Sequence, residues 1–164
     1  MASRGRLFPV CCAAKIPAEV MTRFIEANDK HEFFFVFVDS LTEEYDAPSE
    51  APVMDASSPD SPFMGKSTHE CYELLQQLLE DTGSDIDYDC FAIMDERSIK
   101  DDTLLLAEGP AEEGGEAESV RAPFDVASLV MLNFRAGNAS MSEYKERAAK
   151  EEDGVLKIGP HKKG

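Results

Sequence analysis

Apolar positions fall into short blocks separated by polar and proline-rich stretches, and the spacing inside each block names its element. Leu7-Phe8-Pro9-Val10-Cys11-Cys12-Ala13-Ala14 reads as an opening strand. Past Pro17, a residue suited to a helix start, Val20, Met21, Phe24 and Ile25 recur on one helical face. The run Phe33-Phe34-Phe35-Val36-Phe37-Val38 is unbroken, which predicts a strand buried on both sides. Ser67 to Asp81 gives the clearest helix signal. Ser67 and Glu70 have capping-box spacing, Cys71, Leu74, Leu75, Leu78 and Leu79 form the apolar stripe, and Gly83 ends it.

Cys90 to Met94 and Thr103 to Ala107 read as two strands joined by a polar turn that includes Lys100-Asp101-Asp102. A short strand at Ser119-Val120-Arg121 closes a hairpin. Pro123 opens a helix over Phe124 to Phe134, which Gly137-Asn138 breaks. Ser140, with Glu143 in the capping-box position, starts a last helix through Ala149. Beyond the turn Asp153-Gly154, Val155 to Ile158 reads as a final strand. Helices alternate with strands but also with a hairpin, so the predicted class is α+β. The expectation is one domain over 1–158, with a small mixed or antiparallel sheet of about five strands and three to four helices. Residues 159–164 read as a frayed tail.

Two stretches break the pattern. Residues 39–65 carry Asp39, Glu43, Glu44, Asp46, Glu50, Asp55 and Asp60, four prolines, and no base before Lys66. Such a segment buries little apolar surface and reads as a mobile acidic loop. Residues 108–118 are rich in Glu and Gly and read as a second, at the hairpin tip. Ser58-Pro59 and Ser61-Pro62 have the form of proline-directed phosphorylation sites, a form common in any such loop.

Charge narrows the function classes. Acids outnumber bases 33 to 16 in 164 residues, a formal net charge of −17. Phosphate backbones need clustered Lys and Arg, so nucleic acid is not the expected ligand; a basic protein partner is. The longest apolar run is far short of the roughly 20 residues a bilayer needs, so no membrane span is expected. Arg4 and Arg6 ahead of an eight-residue apolar stretch caricature a secretory or mitochondrial leader. The alternative, an opening strand in a cytoplasmic protein, fits the same residues. Cys11, Cys12, Cys71 and Cys90 include no CxxC pair, and reduced buried thiols are expected.

Several motifs fail on their missing parts. Gly65-Lys66-Ser67-Thr68 resembles the end of a phosphate-binding loop, but Asp60 stands where the first glycine belongs, so the segment reads as a loop entering a helix cap. Asp85, Asp87, Asp89 and Glu96 fall at positions 1, 3, 5 and 12 of a calcium-loop template. Cys90 replaces the turn glycine and a strand follows at once, so no metal is expected there. His31, His69 and His161 have no metal-ligand spacing; a Cys–His pair formed only in space stays open, with no sequence feature that singles one out. Asn138-Ala139-Ser140 is a glycosylation sequon that also suits a turn and cap. No cofactor motif is present.

The blocks Phe91 to Ile99, Thr103 to Leu106, Val120-Arg121-Ala122-Pro123, Leu132 to Asn138 and Asp153 to Lys157 together resemble an uncharacterised family of small fungal and bacterial domains, over residues 89–158. The resemblance implies a strand ending in Asp, a hairpin, an Arg-bearing strand and a helix leading to an Asn-bearing turn. It implies no activity. Phe134 and Ala139 depart from the Asn and Met that the family pattern carries there. Three readings follow. The leading one is a non-enzymatic binding or regulatory protein with an acidic surface. The second is an enzyme with an unrecognised site built from Asp95, Arg97, Arg121, Asn133 and Asn138. The third is a small secreted fungal protein.

Overall fold

A computed structural model of the chain describes residues 6–28, 35–57 and 59–158. In chain order the elements are β1 (Phe8–Cys12), α1 (Ala18–Ala27), β2 (Phe35–Val38), α2 (Thr68–Thr82), β3 (Cys90–Met94), α3 (Glu96–Asp101), β4 (Thr103–Glu108), β5 (Glu118–Pro123), a 3-10 turn (Phe124–Val126), α4 (Ala127–Ala136) and α5 (Met141–Ala149). The strands form one five-stranded sheet in the order β2-β1-β3-β4-β5. β1 pairs in parallel with β2 and β3, and the β3-β4-β5 run is antiparallel. The class is α+β, as the alternation of elements predicts.

Alternation within the strands separates two cores. Phe8, Val10 and Cys12 face α1, α4 and α5, together with Ala92, Met94, Leu104 and Leu106. Leu7 and Cys11 face the other way, with Phe91 and Ile93, toward α2, Phe63 and Ile86. With both sides roofed, every residue of β1 and β3 is buried, which is why those strands read as continuous apolar runs. The apolar stretch that resembles a leader thus contributes β1, an interior strand of the sheet.

Two expectations need correction, and two gain detail. The turn between β3 and β4 is a helix, α3, held by a capping box between Asp95 and Ser98. Pro123 both ends β5 and caps the 3-10 turn that runs straight into α4, so the helix expected from Phe124 is present but opens as a 3-10 turn. Val155 to Ile158 forms no strand: Val155 makes a single parallel bridge to Arg121, and Leu156 donates its N–H to the Arg121 carbonyl. The 39–65 segment has no helix or strand among its described residues but is pinned at several points. Ser49 donates its N–H to Phe35 and accepts from Phe37 N–H, covering the outer edge of β2. Ser57 bonds Ile16 and Ala14, and Phe63 is fully buried.

Ser61 is buried and donates its hydroxyl to the Cys12 carbonyl at 2.7 Å. Ser58, Phe33, Phe34, Arg4, His31 and the 159–164 tail lie outside the described residues. Among the described residues, no helix is long and apolar enough to cross a membrane.

Candidate functional site

The structure brings three of the five candidate residues together, at the carboxyl end of β3. Asp95 caps α3, accepting from Ser98 N–H through Oδ1, while Oδ2 takes the Arg121 guanidinium. Arg121 projects from β5 and also donates to Thr103 Oγ1 at 3.0 Å. Thr103 in turn donates to Asp101 Oδ1 at 2.6 Å, and Arg97 donates to Asp101 Oδ2 at 2.8 Å. Arg97 reaches on to the Asp153 carbonyl. The result is a chain of alternating charge that clasps α3, β4, β5 and the 153–157 segment. Burial pushes the Asp101 carboxyl up, but Thr103 and Arg97 together outweigh it and hold it below the usual range.

Asn133 and Asn138 do not join this cluster. Asn133 donates to Tyr144 Oη at 2.8 Å, tying α4 to α5, and Asn138 is exposed. Gly137, in the left-handed region at φ 74°, is the residue that ends α4. Asn138 N–H bonds the Asn133 carbonyl just behind it.

The calcium-like acids are likewise dispersed. Asp85 pairs with Arg6 at 3.0 Å. Asp87 is fully buried; its Oδ1 accepts the N–H groups of Asp89 and Cys90, and its Oδ2 takes Arg135 at 3.0 and 3.1 Å. Glu96 lies beyond β3, in the first turn of α3. Among the described residues, no group of three or more His, Cys, Asp or Glu is placed to hold a metal ion. Ser67, in the segment resembling a phosphate loop, closes a capping box with Glu70, and Ser140 of the sequon does the same with Glu143.

The cysteines are four free, buried thiols. Burial, with the neighbouring Cys71 thiol adding to it, pushes Cys11 well up, and burial beside Asp39 pushes Cys12 up to about 12. Cys71 meets Cys11 rather than His69, so the open Cys–His pairing does not form through these two residues.

Two concave sites that no linear motif marks stand beside these clusters. The larger, of about 520 Å³, lies against the clasp and is bounded by α1, the end of α3 and the β5–α4 junction. Glu26, Asp101, Asp102 and Asp125 line it over a floor of Ala27, Pro123 and Phe124. Arg23 grips Asp102 with two bonds, at 2.8 and 3.2 Å. Asp102 ends α3 in the left-handed region, at φ 57°, and its carbonyl accepts Phe124 N–H. The smaller, of about 370 Å³, lies between the start of α2 and the acidic hairpin tip, with His69, Tyr72, Glu112 and Glu113 in its walls. The only advance signal of either was the acidic doublet Asp101-Asp102 and the Glu-rich tip.

Compared with protein-family models, curated proteins and solved structures, the chain finds no match.

Proposed function

We propose that this protein is a non-enzymatic binding protein that seats a basic segment of a partner protein in the groove beside α3. The observation that carries this reading is the groove itself: four carboxylates around an apolar floor, with two cations already drawn to them, Arg23 to Asp102 and Arg97 to Asp101. A lysine or arginine side chain suits that lining, its stem on Pro123 and Phe124 and its charge among the acids. Exposed ion pairs contribute only about 0–1 kcal/mol each, so affinity comes from the floor and from several pairs acting together. The net charge of −17 raises the encounter rate for a cationic partner and makes it salt-dependent.

The test uses a fluorescent arginine-rich peptide and its anisotropy at low and high salt. Asp102→Asn with Asp125→Asn is compared with Glu112→Gln and Glu113→Gln, which removes as much charge away from the groove. The expected result is weakened binding in the first variant and near-normal binding in the second. Equal affinity of the two variants would reduce the interaction to general charge and overturn the reading.

A further inference from the structure

His69 is placed to hold the acidic hairpin tip in a way that depends on its protonation. The tip, residues 109–117, leaves β4 at Gly109, where a Cβ would run into the Asp89 carboxylate and the Tyr72 ring. It re-enters the sheet at Ala117, which is buried. The Ala117 N–H donates to His69 Nδ1 at 3.0 Å. Nδ1 therefore carries no proton, and in the neutral ring the proton sits on Nε2, which faces Glu73 at 3.5 Å. An imidazolium carries N–H on both nitrogens. Protonation of His69 and the bond from Ala117 are mutually exclusive, because the backbone N–H would then meet another N–H.

We infer that the 109–117 tip is held by a pH-operated latch: neutral His69 fastens it through Ala117, and protonated His69 releases it, taking apart the open 370 Å³ hollow whose walls are the tip and the start of α2. The inference does not rest on the groove beside α3. The same proton that removes the latch strengthens the His69–Glu73 pair, so the ring stays on α2 while the tip is let go.

The groups that face the ring are the first turn of α2, Glu73 of α2, and Glu112 and Glu113 of the tip. Tyr72 stacks on the ring at 5.5 Å, with Tyr88 behind it and Asp89 close by. Glu70 is committed to the α2 cap and Glu118 to Lys145, and Ser119 of β5 meets Thr68. Glu112 and Glu113 are the groups that could hold the tip to a charged ring, and the experiment separates that outcome from release.

The experiment is amide hydrogen exchange on the full chain, resolved by NMR, between about pH 7.5 and about pH 5.5, the range in which histidine changes charge. Protection at Ala117, corrected for intrinsic exchange, is expected to fall on the order of tenfold toward acid, the equivalent of one net hydrogen bond. In His69→Asn, whose Oδ1 offers an acceptor that does not titrate, protection is expected to stay level. The wild-type chain also decides alone: the ring nitrogens should report an unprotonated Nδ1 near neutrality, and the Ala117 amide should titrate in step with the ring. Level protection in the wild type, an Nδ1-protonated neutral ring, or an equal fall in His69→Asn would each overturn the inference.

Discussion

Asp87 and Asp95 flank the two ends of β3 and are wired alike. In each, Oδ1 accepts backbone N–H and Oδ2 takes a guanidinium, from Arg135 or from Arg121. They differ in exposure. The Asp87 side chain is 0% exposed while its Arg135 partner, 4.2 Å over the Phe8 ring, keeps 30%; at the other end Asp95 keeps 29% and Arg121 only 12%. A fully buried carboxylate is tolerated only while every lone pair has a donor, so the Asp87 arrangement is all-or-none. At the Asp95 end the carboxylate is partly exposed, and the charge is handed along a chain of four further groups, Arg121, Thr103, Asp101 and Arg97. The lesson is that one local wiring serves as a fixed pin where the acid is the buried partner and as a more forgiving clasp where the acid meets solvent and the guanidinium is the buried partner.

The sharpest way to break this comparison is truncation at both ends. Asp87→Ala is expected to cost about 3–5 kcal/mol, because it strands buried donors. Asp95→Ala is expected to cost about 2 kcal/mol, for a lost cap and an ion pair whose carboxylate is partly exposed. Urea denaturation measures both, and equal losses would erase the distinction.

Acid sharpens it next. The Asp101 carboxyl is held below its usual range, so the folded chain binds that proton less readily than the unfolded chain does. Its contribution is present in full above the ordinary Asp value of about 4 and is lost as pH falls through the depressed one. Asp101→Asn should therefore be less stable than the wild type near neutrality, with the gap closing in acid. A gap that is constant with pH would remove Asp101 from the clasp.

The smallest effect concerns which end opens first. Cys90 starts β3 beside Asp87, while Cys12 ends β1 at the side of the clasp. With burial pushing Cys12 up to about 12, its labelling by a thiol reagent near neutral pH requires local opening. Mass-resolved labelling is expected to modify Cys12 a few times faster than Cys90. The reverse order would place the weaker end at Asp87.

How much of this was legible in the chain depends on distance along it. The α2 cap, its stripe and its closing Gly83 were readable because all the groups involved lie within one helix. α3 was not, because Glu96 to Asp101 has no apolar stripe and depends on the Asp95–Ser98 box, which is easily taken for a turn. Val155 and Leu156 looked like a strand because they are buried, yet only one bridge reaches Arg121. Asp95 stands out as the end of a strand and Arg121 as the base of the Arg-bearing strand in the resemblance, and the two do meet. Asn133 was grouped with them and instead serves Tyr144. The His69–Ala117 contact spans 48 residues and leaves no periodic trace, so only the folded chain displays it.

The place of β1 in the sheet has a kinetic consequence. It is the first strand to be made, yet one of its two neighbours is β3, whose register joins Val10 to Ala92 and Cys12 to Met94. During synthesis, β1 must wait unpaired on that side until some eighty residues later, while the β3-β4-β5 meander closes through short connections. Chains dominated by such distant pairings fold slowly, because loop-closure entropy comes before the contacts that offset it. The antiparallel half is therefore expected to form the nucleus, with Phe8 to Cys12 threading into place last. Substitutions in β1 would then speed unfolding, and those in β4 would slow folding.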